Sequence, residues 1–230
     1  MSHVKAGGSY HPPSSFHSNA QLSVLQPGVV FIVSSYDNTA MFNIYVDADS
    51  FPRELLSIVL RRIVKESSSV GKAVFVSDRV IPAVRDALEA HTHALREEAK
   101  GKGVTERTEL RKIKSVISEE VVPSGMNSAD DRIVEIASLP GFCITHDIPL
   151  SSRLCALGFS VIDDRGHIYT KDNVGERLSS RNFFTELREM GIQSEKTKRL
   201  TGADINAFSS SFDSLVSSFV REDKGRRGKV

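Results

Sequence analysis

Phe42-Asn43-Ile44-Tyr45-Val46 runs without a break into Asp47-Ala48-Asp49. The alternation and the aromatic and β-branched content mark a strand, and two carboxylates stand where it ends. A second short apolar run, Phe142-Cys143-Ile144-Thr145, closes the same way on His146-Asp147. Between them, Ala129-Asp130-Asp131-Arg132-Ile133-Val134-Glu135-Ile136-Ala137 follows the turn Ser124-Gly125-Met126-Asn127. Ile133, Val134, Ile136 and Ala137 share one face of a helix at a period of about 3.6. Ser128 with Asp131 reads as a capping box, which leaves Asp130 in the first turn with no local partner. In open α/β sheets the ligand crevice lies outside the carboxyl ends of the parallel strands. Asp47 and Asp147 therefore stand where an active site would begin, and Asp130 can project into it.

Working outward, Pro52 suits the first turn of a helix, and Leu55, Leu56, Val59, Leu60 and Ile63 give that helix its apolar stripe. Gly71-Lys72 reads as a turn into a strand at Ala73-Val74-Phe75-Val76, and residues 82–95 as a helix. Residues 96–114 hold seven Lys or Arg and four Glu, a mixed-charge solvated insertion that is helical in part. Residues 116–122 give a third strand, 142–146 a fourth, and 160–163 a fifth. Helices follow near Pro149 (ended by Gly158), from Asn173 (capped with Glu176 and stopping at Gly191), and around Phe208, Phe212 and Phe219. The tail 221–230 is basic and expected to fray. Strands alternating with helices over short connections predict a three-layer α/β domain over 41–220, with a mainly parallel central sheet and a helical C-terminal extension.

With 230 residues, 40% hydrophobic and 26% charged, and a formal net charge of +1, the chain is ordinary for a globular protein. Its charge points to no particular partner. No apolar run approaches the roughly 20 residues needed to span a bilayer, so a membrane role is not expected. Cys143 and Cys155 read as buried hydrophobes in a reducing, cytoplasmic setting rather than as a disulfide. Residues 1–40 contain Lys5 and Asp37 as their only Lys, Arg, Asp or Glu. They read as a flexible extension, with an extra strand at 29–33 as the alternative, and Met41 offers a second start.

Asp47, Asp49, Asp130 and Asp147 come from three separated segments expected to open toward one end of the sheet, and Asp163 adds an acid from the fifth strand end. Mg²⁺ or Mn²⁺ prefers oxygen ligands and takes one or two carboxylates with waters and phosphates. Carboxylates this close raise one another's pKa unless a cation neutralises them, so a metal pocket is a sensible use of the set. Taken singly, Asp49 also reads as a cap for the next helix, Asp147 as the opening of the Ile148-Pro149 turn, and Asp163-Asp164 as a turn. His91 and His93 read as surface residues. Arg165 and Arg181 could hold phosphate.

Ile44 through Pro52, Gly125 through Ile133, Ile144-Thr145-His146-Asp147-Ile148-Pro149-Leu150, Asp164-Arg165-Gly166-His167-Ile168-Tyr169-Thr170 and Leu187 through Gly191 resemble the YaiI/YqxD family of uncharacterised bacterial proteins, in matching order. That family is similar to PIN-type nuclease domains, whose elements the Asp130 helix and the Thr145-x-Asp147 strand end also resemble. The resemblance implies a PIN-like fold and a divalent-metal pocket at Asp47, Asp130 and Asp147, with Asp49 or Asp163 supplementary. It implies an Mg²⁺- or Mn²⁺-dependent phosphodiesterase acting on nucleic acid, RNA above all. A non-catalytic nucleic-acid- or protein-binding module on the same fold is the alternative. This chain departs from the family at Ser50 (usually Cys), Asn127 (usually Asp), His146 (usually small) and in the length of 96–114. Asp47-x-Asp49 also resembles the haloacid-dehalogenase phosphatases, where the first Asp is the nucleophile, but Phe51 does not fit their pattern.

Overall fold

The computed structural model describes residues 41–49, 51–125, 128–190 and 199–227. The readings of 1–40, Ser50, Asn127 and the stop at Gly191 lie outside them. Strand β1 (Phe42–Asp47) is followed by helix α1 (Arg53–Lys65), β2 (Val70–Ser77), α2 (Pro82–Gly101) and α3 (Arg107–Lys112). Next come β3 (Ile117–Val121), α4 (Ser128–Ile136), β4 (Gly141–Ile144), α5 (Ile148–Ala156) and β5 (Ser160–Ile162). Strand β6 (Ile168–Tyr169) precedes α6 (Val174–Glu189) and α7 (Gly202–Arg227). The six strands form one sheet in the order β3-β2-β1-β4-β5-β6, parallel except for β6. Chain order reverses between β1 and β4, which makes that seam the switch point of a doubly wound sheet.

Side-chain alternation sorts the strands into two faces. Phe42, Ile44, Val46, Phe75, Phe142 and Ile144 pack with α1 and with Phe208, Phe212 and Val216 of α7. Tyr45, Val74, Val76, Cys143 and Val161 pack on the other face with Ile133 of α4 and with Leu150 and Leu154 of α5. Helices thus cover both faces, the three-layer arrangement that the apolar runs predicted.

Four local expectations need correction. Gly71-Lys72 is not a turn but lies inside β2, where the register slips between Phe42 and Asn43. A Cβ on Gly71 would stand 3.0 Å from the Asn43 side-chain oxygen, so the glycine admits a bulge where the sequence suggested a break. Helix α2 continues to Gly101, because the mixed charges pair along it, Lys100 with Glu97 at 2.7 Å among them. Asn173 closes the β6–α6 turn instead of capping with Glu176: its side chain accepts from the Thr170 N–H at 2.8 Å and donates to the Ile168 carbonyl at 3.0 Å. The basic tail is helical to Arg227, with Asp223 buried.

Candidate functional site

Strand β1 delivers Asp47 at the switch point, 6% exposed. Thr145, just beyond β4, donates its hydroxyl to Asp47 Oδ2 at 2.8 Å. The Thr145 hydroxyl oxygen itself accepts the Asp147 N–H at 3.0 Å. A hydroxyl has one proton to give, so the two contacts set its direction: proton to Asp47, lone pair to the backbone. Asp147 in turn caps α5, its Oδ1 accepting the Leu150 N–H at 2.8 Å. The turn reading of Asp147 and its place at the strand end therefore hold together, since one oxygen serves the cap.

Asp130 arrives from α4. Its carboxyl is pushed up to about 6, first by burial, then by the charges of Asp147 and Asp47, with Arg153 opposing. Asp47 is raised too, chiefly by burial and further by Asp147, against the lowering effect of the Thr145 hydrogen bond and of His146. Beneath them, burial lifts the Cys143 thiol well above its ordinary range, and Asp47 and Asp130 add to the lift. Asp47, Asp130 and Asp147 thus come from three segments into mutual electrostatic range, with the Cys143 thiol beside them. Among the described residues, however, no three His, Cys, Asp or Glu side chains converge closely enough to hold one metal ion between them.

The remaining acids are employed differently. Asp49 does not cap α1; its Oδ1 accepts the Asp78 N–H at 2.7 Å, and Arg79 donates to its carbonyl at 2.9 Å. Its carboxyl is raised mainly by burial, with Asp78 and Asp47 contributing. Asp163 takes the N–H groups of Arg165 and His167 at 2.9 Å each on Oδ1, and the Tyr169 hydroxyl at 2.8 Å on Oδ2. It ties the β5–β6 turn, where Gly166 adopts a left-handed φ of 85°. Asp131 forms no capping box: it pairs with Arg153 at 2.8 Å, while the Ser128 hydroxyl donates to the Gly125 carbonyl at 3.1 Å. Arg165 pairs with Asp204 at 2.7 Å.

His91 is buried, not on the surface, and bonds the Ser115 hydroxyl at 2.9 Å; His93 is exposed. Both cysteines are buried free thiols. Two participants were not singled out from the sequence for these roles. Thr145 joins two acids through one hydroxyl, and Arg153 counters Asp130 from α5. A Thr two residues before a strand-end Asp was the available signal for the first. Arg153 is one arginine among many.

A doubly wound α/β sheet with carboxylates gathered at its switch point defines the class of protein. Within it, the chain belongs to the YaiI/YqxD family: the family model described as "Uncharacterized BCR, YaiI/YqxD family" matches residues 94–218. It is similar to a UPF0178 protein of Citrifermentans bemidjiense, 33% identical over 80% of this chain and 99% of that protein. A UPF0178 protein of Geobacter sp. (strain M21) is 34% identical over 79% of this chain and 97% of its own length. One from Geobacter metallireducens is 40% identical over 46% of this chain and 69% of its own. No solved structure matches the chain. Among the described residues no helix is long and apolar enough to cross a membrane.

Proposed function

We propose that the chain is a divalent-metal-dependent phosphodiesterase acting on nucleic acid, RNA above all, with Mg²⁺ or Mn²⁺ bound at Asp47, Asp130 and Asp147. One observation carries it: Asp130 stands near pKa 6 because burial, Asp147 and Asp47 all oppose its charge. A cation placed among these acids would offset the burial and like charge that raise Asp130 and Asp47. The donor set is all oxygen, which suits Mg²⁺ held by one or two carboxylates with waters and substrate phosphates rather than by a closed protein cage. When bound, the metal would activate water and clamp the scissile phosphate. Thr145 aims Asp47, the α5 cap fixes Asp147, and Asp130 comes in from the first turn of α4. The resemblance to PIN-type nucleases supports the same chemistry.

Millimolar Mn²⁺ should raise the melting temperature by mass action, and Asp130→Asn should abolish the rise while the apo fold survives. Cleavage of single-stranded RNA should need the metal and fall with the same substitution. A melting temperature unmoved by Mn²⁺ overturns the metal centre and the catalysis with it. The missing three-ligand group favours the second reading, a nucleic-acid- or protein-binding module, which predicts binding indifferent to metal and to Asp130. A phosphatase with Asp47 as nucleophile is disfavoured by the burial of that carboxylate and its bond to Thr145.

A further inference from the structure

We infer that the cleft between the starts of α1 and α2 is a subsite for an unpaired nucleobase of single-stranded nucleic acid, an inference that rests on the phosphodiesterase function and names the form of its substrate. The cleft holds about 720 Å³ and opens where β1 and β2 end, with Ala48 and Asp49 on its wall immediately after Asp47 in the chain. It is therefore continuous in the chain with the carboxylate site. Its floor is apolar: Phe51, Leu56 and Leu60 from one side, Ile81 and Pro82 from the other. Val80, 42% exposed, stands at its mouth. A concave, mainly apolar space of this size with a few polar groups at its edge has the character of a ligand site.

The charges around it indicate the occupant. Asp49, Asp86, Arg53 and Arg79 supply two carboxylates and two guanidiniums. An isolated phosphate would meet as much repulsion as attraction there and would leave the apolar floor unused. A nucleobase is flat and uncharged, with N–H donors suited to carboxylates and ring or carbonyl acceptors suited to guanidinium. Such a ring gains by stacking on apolar or guanidinium surfaces, and only an unpaired, unstacked base has its faces and its Watson–Crick edge free. Arg79 is already braced for this: it donates to the Asp49 carbonyl at 2.9 Å and to Asp78 Oδ1 at 3.3 Å. A strand whose phosphate lies at Asp47 would have to reach the cleft over the end of β1, where Ala48 and Asp49 follow Asp47 in the chain.

The test is equilibrium binding by the full chain in Ca²⁺, an oxygen-seeking cation. Three fluorescent probes of equal length are compared: a single-stranded RNA, an abasic ribose-phosphate strand and an RNA duplex. Single-stranded RNA should bind at least about tenfold tighter than the other two. Ser57→Trp on α1 and Ala83→Trp on α2 each fill the cleft from an exposed position, and each should erase that preference with the melting temperature unchanged. Equal affinity for the single-stranded and abasic probes overturns the inference, as does a preference that survives both substitutions. The catalytic claim is judged separately. A base preference erased by cleft filling, with no cleavage in Mn²⁺, supports the subsite and refutes catalysis. Metal-dependent cleavage at equal rates with and without bases, unchanged by filling, refutes the subsite alone.

Discussion

Asp130 shows how one side chain carries both a cost and a function. Its unfolded pKa lies near the ordinary 3.8, and in the fold it is pushed to about 6, first by burial and then by Asp147 and Asp47. Between those values the folded chain keeps a proton that the unfolded chain releases. Stability from this group is therefore full below the lower value and is lost as pH rises through the upper one. Asp47 and Asp49 are shifted in the same direction and add to the trend. In metal-free buffer Asp130→Asn should flatten that part of the profile and stabilise the protein at about pH 7. The gain is on the order of 1 kcal/mol, allowing for solvent screening of a partly buried side chain. Urea unfolding from mildly acid to neutral pH would measure it; a variant no more stable than the parent at neutral pH would count against the mutual repulsion. That Asp130 stands in the first turn of a helix was legible from the sequence. That Thr145 spends its proton on Asp47 was not, because β1 and β4 lie far apart in the chain.

At the scale of elements, the β1–β4 seam matters most, since Asp47 ends one strand and Thr145 follows the other. Gly141 begins β4 opposite Asn43. A Cβ there would stand 2.6 Å from the Asn43 carbonyl oxygen, so the backbones must part to admit it. Gly141→Ala should cost about 1–3 kcal/mol by overpacking and weaken the Mn²⁺ response along with it. Gly175, near the start of α6, has nothing within 4 Å of such a Cβ. Gly175→Ala should be neutral or slightly stabilising by helix propensity. Equal melting shifts for the two variants would show that the seam is not under this constraint. The apolar runs announced strands β1 to β5 and most helices, but not the two-residue β6. Turn chemistry was read less well: Gly71 is a bulge, Ser128 bonds a preceding carbonyl, and Asn173 closes a turn. In each case the residue type was right for irregular backbone, but its partner came from the tertiary arrangement.

At the scale of the molecule, two apolar clusters lie on opposite faces of one sheet, and the carboxylates belong with the α4–α5 face while α7 closes the other. Phe212 is fully buried among Phe142 and Phe208 on the α7 side. Phe212→Ala should cost about 3–5 kcal/mol in stability, yet leave the size of the Mn²⁺-induced shift unchanged. A lost Mn²⁺ response in a variant that still folds would show that the two faces are coupled. Alternating apolar runs, the acids at strand ends and the helix signals by themselves determined an α/β chain with Asp47, Asp130 and Asp147 as its candidate site. They did so because periodicity and local capping are properties of neighbouring residues. Only the tertiary structure decided that Asp163 ties its own turn, that Asp49 faces a separate cleft, and that Arg153 opposes Asp130. Those outcomes depend on strand order and on which distant groups reach a given oxygen first, and no local pattern encodes either.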